Sequence, residues 1–316
     1  MNRPLRFALA ALAAFATSLA LHAAPLAYSS DEGSAQVSVI DTATDRVVST
    51  IATGPKPRGI AVSLDGKRLF ASEQAAGAVV VYDTGTGKRV ASVPVGKSPE
   101  GIYHSPDGKW LTAAVEENEE VAIVDTAKLE VARRIHTRGK NPEHAVWSPD
   151  GKWIYASAED TDKLDIIDVA KGEVVKSITV GTRPRGIGFL PDGSRAYVAA
   201  ETAGVVNAID TARQEVVARI PASLRTNGIT VNPDGKHVYA SSGGKGTVQF
   251  IDPATNTIVK EIAVGERPWN MAITPDGAKL YVACGRSGTV AVVDTVRMDK
   301  VGEVKVGKLP WGVAIR

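Results

Sequence analysis

The chain repeats itself every 42 or 43 residues, and this period restricts the fold more than any other feature. The aspartate of an Asp-Gly turn recurs at Asp65, Asp107, Asp150, Asp192, Asp234 and Asp276. A second aspartate, which ends an apolar run, recurs at Asp41, Asp83, Asp125, Asp168, Asp210, Asp252 and Asp294. Repeats of this length cannot bury an apolar face alone, so the copies must stack on one another.

Each repeat contains four short apolar runs. In the clearest copy they are Met271–Thr274, Leu280–Ala283, Thr289–Val293 and Val301–Val306, separated by Pro-Asp-Gly, Gly-Arg-Ser-Gly and Asp-Thr turn signals. Four strands joined by tight turns form an antiparallel unit, and such units of about 40–45 residues are typical of propeller blades. Seven copies therefore predict an all-β, seven-bladed β-propeller with four-stranded antiparallel blades.

The two ends of the chain predict how the ring closes. The chain ends with Gly312–Arg316, which corresponds to a first strand, and its repeats begin near Tyr28 with a second strand. We expect the C-terminal strand to complete the N-terminal blade. This arrangement hides the strand edges that an open array would expose.

The first 23 residues are predicted to lie outside the fold. Arg3 and Arg6 precede the apolar run Phe7–Leu21, and small residues follow, which is the pattern of a secretory signal peptide. We predict cleavage after Ala23, with an uncleaved anchor as the alternative, and a propeller domain at residues 24–316. The protein is then periplasmic or secreted, with no membrane span after cleavage.

The charge of the exported part is balanced. The chain has 37 basic and 35 acidic residues, and removal of Arg3 and Arg6 leaves 35 of each. This balance provides no electrostatic footprint for nucleic acid or an anionic membrane. The one cysteine, Cys284, excludes an internal disulfide and is expected to be a small packed residue. We expect a monomer.

Candidate binding residues follow from the position of each repeat column on the ring. A proline column leads into each first strand, at Pro57, Pro99, Pro142, Pro184, Pro268 and Pro310, with Thr226 in the remaining copy. This loop and the loop between the second and third strands open on one face, called here the top face. Its loops differ between copies, and variable loops on a rigid scaffold commonly carry function.

The residues after the proline column should surround the mouth of the central funnel. They are Arg58, Glu100, Glu143, Arg185, Asn227, Trp269 and Trp311. The next position is glycine in five copies, but His144 and Asn270 in the other two. One side of the mouth is thus aromatic and basic and the other acidic. We predict a ligand-binding site here, because convergent polar groups in a concave pocket mark binding sites.

Three of these groups, Glu100, Glu143 and His144, are candidates for a metal site. Acidic groups that converge repel each other unless a cation neutralises them. A divalent metal such as zinc is one solution, because carboxylates and imidazole suit it. Arg58 and Arg185 are the other, and we favour them because they occupy the same column on neighbouring blades.

Other polar positions have simpler interpretations. A second column on the top face contains Glu32, Gln74, Glu116, Glu159, Glu201, Gly243 and Gly285. With Lys56, Arg183, Arg225 and Arg267 nearby, its acidic members are expected to form solvated salt bridges that contribute little stability. His104 replaces an apolar residue of the inner strands, and we expect a buried histidine with its hydrogen bonds satisfied.

The repeats resemble the YVTN family of β-propeller repeat proteins. The resemblance depends on Tyr197–Ala200 (YVAA), Tyr281–Cys284 (YVAC), Val37–Thr42 (VSVIDT) and Val290–Thr295 (VAVVDT), together with the Pro-Arg-Gly-Ile and Pro-Asp-Gly-Lys blocks. It covers the chain from about Tyr28 to Arg316. The resemblance implies a propeller. Within this family, the chain looks most like exported single-domain members, including those found with pyrroloquinoline-quinone (PQQ) alcohol oxidation systems.

Three functions remain open at this point. We favour a periplasmic binding or scaffold protein that uses the top-face funnel for a protein, small-molecule or metal partner, accessory to a PQQ-linked oxidation pathway. The alternative is a hydrolytic enzyme similar to the seven-bladed lactonases and lyases, with a metal at the funnel mouth. Glu100, Glu143 and His144 are of the residue types that such enzymes use there, but the sequence contains no clear general acid–base pair. Binding of single-stranded DNA through Trp269, Trp311 and nearby bases is the second alternative, although the charge balance argues against it.

Overall fold

The computed structural model describes residues 24–316 as seven separate sheets of four antiparallel strands. The predicted seven-bladed β-propeller is confirmed, whereas the predicted signal peptide at residues 1–23 lies outside the described part. In chain order, the first half of the strands are β1 (Leu26–Asp31), β2 (Gln36–Asp41), β3 (Arg46–Ala52), β4 (Pro57–Val62), β5 (Arg68–Glu73), β6 (Ala78–Asp83), β7 (Arg89–Pro94), β8 (Pro99–His104), β9 (Trp110–Val115), β10 (Glu120–Asp125), β11 (Glu130–His136), β12 (Pro142–Trp147), β13 (Trp153–Ala158) and β14 (Lys163–Asp168). The second half are β15 (Glu173–Thr179), β16 (Pro184–Phe189), β17 (Arg195–Ala200), β18 (Val205–Asp210), β19 (Glu215–Pro221), β20 (Thr226–Val231), β21 (Val238–Ser242), β22 (Thr247–Asp252), β23 (Thr257–Ala263), β24 (Pro268–Ile273), β25 (Lys279–Cys284), β26 (Thr289–Asp294), β27 (Asp299–Lys305) and β28 (Pro310–Ile315).

Short 3₁₀ turns follow the second strand in four of the blades. They are Glu32–Ser34, Gln74–Ala76, Glu116–Asn118 and Glu159–Thr161. Each begins at a polar residue of the second top-face column, so these turns fix where that column lies. Within residues 24–316, no helix is long and apolar enough to cross a membrane.

The ring closes as the two chain ends predict. Strand β28 pairs antiparallel with β1, so one blade has the order β28-β1-β2-β3. Ser30 Oγ accepts a hydrogen bond from the Gly312 amide at 3.0 Å and donates one to the Arg58 carbonyl at 2.6 Å. The closing strand is therefore tied both to its own blade and to the next one.

The core lies between the blades, and an aromatic column dominates it. The largest fully buried side chains include one aromatic residue at the same second-strand position of five blades: Phe70, Tyr155, Tyr197, Tyr239 and Tyr281. The outer strands are mostly exposed, as in β3, where Ile51 alone is buried. Cys284 is fully buried, and burial raises the pKa of its thiol to about 12, which agrees with a packed residue.

His104 is packed as expected, but its hydrogen bonds are not satisfied. Its ring meets Phe70 edge to face, with centroids 5.2 Å apart, and neither ring nitrogen has a hydrogen-bond partner. Burial, with a smaller contribution from the charge of Arg316, lowers the pKa of His104 to about 4. The imidazole is therefore neutral in the folded protein and protonated in the unfolded chain at mildly acidic pH.

This difference predicts an acid-sensitive stability. The pKa of His104 is lower in the folded protein than in the unfolded chain, where it is about 6.5. The contribution of this residue to the free energy of unfolding is therefore fully present above pH 6.5 and is lost as the pH falls towards 4. Two to three pKa units correspond to roughly 3 kcal/mol. Urea unfolding of His104→Val, which copies Val62 and Val231 of other blades, should show a flatter profile between pH 6.5 and 4.5. Equal pH slopes for parent and variant would contradict this account.

Candidate functional site

A repeated backbone feature positions the mouth of the funnel. The residue before each inner strand is left-handed, with φ between 52° and 62°, and none of these residues is glycine: Lys56, Ser98, Asn141, Arg183, Arg225, Arg267 and Leu309. The carbonyl of each accepts a hydrogen bond, 2.8–3.2 Å long, from the amide of the second top-face column in its own blade. The two polar columns are thus held side by side around the ring.

The glycine column lets the inner strands approach closely. A Cβ atom added to Gly59 would lie 2.3 Å from the Glu100 carbonyl oxygen, and one on Gly186 would lie 2.5 Å from that of Asn227. Such contacts are shorter than a Cβ atom tolerates. The funnel is therefore narrow, and the side chains that enter it are forced together.

The two ion pairs expected from the sequence are present. Arg58 Nη1 lies 2.5 Å from Glu100 Oε1, and Arg185 Nη1 forms an ion pair with Glu143 Oε1. The side chains of Glu100 and Glu143 are almost fully buried, with 0% and 2% exposed. Each buried carboxylate thus depends on an arginine of a neighbouring blade, since an unpaired buried charge is strongly unfavourable.

The ion pairs extend into the second top-face column. Arg185 also contacts Glu159 at 3.1 Å and Glu201 at 2.9 Å, while Arg183 pairs with Glu159 and Arg267 with Glu201. The side chains of Glu159 and Glu201 are only 9% and 5% exposed. The expectation of solvated salt bridges is therefore wrong for these two residues, because the 42-residue columns bring them into the buried network.

The network shifts the pKa values of its carboxyl groups in opposite directions. Burial raises the pKa of Glu100 to about 8, and the nearby Glu116 carboxylate adds to this effect while Arg58 opposes it. For Glu201, burial would raise the pKa, but Arg185 and Arg267 together lower it below its ordinary value. The same network thus raises the pKa of the Glu100 carboxyl group and lowers that of Glu201.

His144 projects into the funnel, as predicted. Its ring stacks on Trp311, three blades away around the ring, with centroids 6.0 Å apart and planes inclined by 11°. Its Nδ1 is hydrogen-bonded to the Tyr103 hydroxyl, and its Nε2 is buried without a partner. Burial lowers the pKa of His144 to about 4, so its imidazole is neutral at pH 7.

The remaining predicted residues lie on the other side of the mouth. The guanidinium of Arg267 lies over the Trp269 ring, 4.2 Å from its centroid, which is a cation–π contact. Asn227 is buried, and Asn270 and Trp269 are partly buried. However, Trp311 stacks on His144 and Arg58 pairs with Glu100, so the aromatic and basic residues are not separated from the acidic ones as the sequence predicts.

Buried polar atoms without partners are concentrated at this site. Of thirteen such side-chain atoms in residues 24–316, eight surround the funnel: Arg58 Nε, Glu100 Oε2, Glu143 Oε2, His144 Nε2, Asn227 Nδ2, Asn227 Oδ1, Arg267 Nη1 and Asn270 Nδ2. An unpaired buried polar group costs about 1–3 kcal/mol. The free energy of this closed arrangement would fall if a ligand or water supplied the missing partners.

The carboxylates that approach one another most closely differ from the predicted metal ligands. Glu143 is grouped with Glu116 and Glu159, with one oxygen from each within 4.8 Å of the others, rather than with Glu100 and His144. The sequence places Glu116 and Glu159 in the second column, where solvated salt bridges are expected and a metal site is not. A metal at Glu100, Glu143 and His144 stays a prediction.

The family of the chain follows from a comparison with family models. The model described as "Cytochrome D1 heme domain" matches residues 9–189 and 106–226, more than half of the chain. The chain belongs to this family. The model described as "Lactonase, 7-bladed beta-propeller" matches residues 170–305. No curated protein matches the chain.

Solved structures with similar folds come from diverse proteins. Hydrazine synthase of Kuenenia stuttgartiensis is 25% identical, with a TM-score of 0.78, and the match covers 85% of this chain and 92% of that one. A putative 6-phosphogluconolactonase of Bacteroides uniformis is 20% identical, with a TM-score of 0.77 and coverage of 92% and 99%. Dihydro-heme d1 dehydrogenase NirN, in complex with DHE, is 17% identical, with a TM-score of 0.68 and coverage of 91% and 74%. These similarities establish the fold.

The family description implies a heme d1 group, but the funnel does not fit one. The buried Nε2 of His144 has the chemistry of an axial ligand. However, this nitrogen is buried, Trp311 is stacked on the imidazole ring, and the Arg185–Glu143 ion pair is also buried. A macrocycle bound to His144 would therefore have to displace the Trp311 ring, so the residues present do not fit heme d1.

Proposed function

We propose that this protein is a non-catalytic binding protein that takes up a small polar ligand in its top-face funnel. The observation that carries the proposal is the set of eight unpartnered polar atoms around the funnel. Over 90% of buried polar groups in proteins have a hydrogen-bond partner, so such a concentration at one place requires an explanation. A bound ligand that replaces the missing partners provides one.

The unpartnered atoms also describe the chemistry of this ligand. Asn227 Nδ2, Asn270 Nδ2 and Arg58 Nε are donors, whereas Asn227 Oδ1 and the free carboxylate oxygen of Glu143 are acceptors. A mixture of both kinds suits hydroxyl groups, since each hydroxyl donates and accepts. We therefore infer a small, polyhydroxylated or zwitterionic molecule rather than a polyanion.

The setting of this function is part of the same proposal. The N-terminal sequence supports export to the periplasm, and the YVTN-like repeats support a role beside a PQQ-linked oxidation pathway. In this role the propeller is a rigid scaffold that presents the bound ligand to a partner protein.

A ligand screen tests the proposal. Polar metabolites would be added to residues 24–316 at about 100 times Kd, where binding stabilises by roughly 2.7 kcal/mol. For a domain of this size, that raises Tm by several degrees. The shift should disappear in Asn227→Ala/Asn270→Ala, while Asn118→Ala, an exposed asparagine of a 3₁₀ turn, should keep it. Stabilisation that persists in the double variant would contradict binding in the funnel.

A lactonase-like hydrolase is the second candidate, and one observation favours it. The lactonase family model matches residues 170–305, and Glu100 has a pKa of about 8, near the value that suits a general acid or base. A sugar lactone has the hydroxyl groups inferred above. If this candidate is correct, Glu100→Gln should abolish lactone hydrolysis in a pH-stat assay. Hydrolysis at the rate of buffer alone by the parent protein would exclude it.

A further inference from the structure

We propose that the funnel contains a divalent cation site, built by Glu116, Glu143 and Glu159, with Ca²⁺ as the preferred ion. The inference rests on the proposed function, because it names one ligand of the same funnel. Its ligand set differs from the one that the sequence predicts, since it omits Glu100 and His144.

The geometry of the three carboxylates fits an ion of this size. One oxygen from each group lies within 4.8 Å of the other two. Two oxygens that each lie about 2.4 Å from a common centre, a usual Ca²⁺–oxygen distance, are at most about 4.8 Å apart. The three glutamates come from three different turns or strands, so the backbone already brings them together.

Buried carboxylate oxygens without a hydrogen-bond partner are a second, independent observation that points to a bound cation at this site. Glu143 Oε2 and Glu100 Oε2 are both buried, and neither has a hydrogen-bond partner. Two buried acceptors with no donor are better explained by a bound cation than by further acidic neighbours.

The local charge balance supports the same conclusion. The connected network contains six glutamates and four arginines: Glu32, Glu100, Glu116, Glu143, Glu159 and Glu201 with Arg58, Arg183, Arg185 and Arg267. This set therefore has more carboxyl groups than guanidinium groups. A bound cation would compensate negative charge that the arginines leave unpaired, which is costly to leave in a buried site.

The donor types decide which cation is favoured. All three ligands are carboxylates, and hard ions such as Ca²⁺ and Mg²⁺ prefer oxygen donors, whereas zinc is usually bound by nitrogen or sulfur. Mg²⁺ requires shorter distances and near-ideal octahedral geometry. Because Mg²⁺ is usually held by only one or two carboxylates, a site with three carboxylates suits Ca²⁺ better.

The present contacts show how the ion would enter. Arg185 Nη1 lies between Glu143 and Glu159, while its Nε is held 2.9 Å from Glu201. The Ser98 hydroxyl donates to one oxygen of Glu116 at 2.6 Å and leaves the other oxygen for a ligand. Rotation of the Arg185 guanidinium towards Glu201 would open the space between the three carboxylates.

Isothermal titration calorimetry tests the site directly. EDTA-treated residues 24–316 should bind one Ca²⁺ per chain, with at least tenfold weaker binding of Mg²⁺ and Zn²⁺. Glu159→Gln and Glu116→Gln should each weaken Ca²⁺ binding at least tenfold, while Glu117→Gln, an exposed glutamate of the same 3₁₀ turn, should bind as the parent does. The folding of each variant would be checked by its Tm without metal.

Two results would overturn the inference. The first is no saturable binding of Ca²⁺ by the parent protein, and the second is equal Ca²⁺ affinity in Glu159→Gln. Zinc binding that is lost in His144→Ala but kept in Glu159→Gln would instead assign the metal to the Glu100–Glu143–His144 set.

The outcome can be separated from that of the proposed function. The metabolite screen would be run once in EDTA and once in Ca²⁺. A metabolite that depends on Asn227 and Asn270 in EDTA supports the binding function even if the cation inference fails. Saturable Ca²⁺ binding without any metabolite supports the cation site and contradicts the small-molecule proposal.

Discussion

Removal of Pro310–Arg316 is expected to abolish cooperative folding at 25 °C. Strand β28 is the inner strand of its blade, and it pairs with β1 along the strand from Ala27 to Asp31. Its loss exposes an unpaired inner edge and removes the buried Trp311 and Val313. Circular dichroism during heating should show no cooperative transition, and size-exclusion chromatography should show aggregates.

A matched control separates the lost strand from a general effect of changing the C-terminus. A Gly-Ser extension after Arg316 leaves β28 intact and should not change Tm. A truncated protein that is monomeric and melts at the parent temperature would contradict closure of the ring by this strand.

Substitution of Arg185 by glutamine is expected to destabilise the protein by about 3–5 kcal/mol, because it leaves buried carboxylates without their cation. Arg185 is 8% exposed and contacts Glu143, Glu159 and Glu201. Urea unfolding at pH 7 measures this loss. Ca²⁺ should partly restore the stability of the variant, because the ion can take over the charge of the guanidinium.

Arg213→Gln is the matched control for this result. Arg213 pairs with Glu215 on the surface, where the two side chains are 68% and 53% exposed. Surface ion pairs contribute about 0–1 kcal/mol, so this variant should remain close to the parent. Equal losses for the two variants would show that burial of the Arg185 network does not determine its energetic contribution.

The sequence predicts the propeller because its signals are local and repeated seven times. Asp-Gly turns, terminal aspartates and the proline column each mark one position of a blade. Because each mark occurs in most copies, a copy that lacks one of them can still be aligned with the others. The inner strands nevertheless begin earlier than the apolar runs suggest: β24 starts at Pro268, whereas the run starts at Met271. Proline is tolerated as the first residue of a strand, and an apolar pattern does not show this.

The sequence predicts which residues of the inner column converge at the candidate site, but it does not predict how deeply the residues of the second column are buried. Arg58, Glu100, Glu143, Arg185 and His144 converge because they share a column, and columns are visible in the sequence. The burial of Glu159 and Glu201 depends on how closely the inner strands approach. That distance is set by contacts between blades, such as the one at Gly186, and the polarity of a single loop does not show it.

A high-resolution crystal structure of natively purified residues 24–316 tests the central claim most directly. We expect non-protein electron density in the funnel, in contact with Asn227, Asn270 or the Glu116–Glu143–Glu159 carboxylates, and fewer unpartnered polar atoms than the eight found here. If the funnel contained no electron density beyond the protein and the same eight atoms remained unpartnered, this result would contradict a binding site at the funnel mouth.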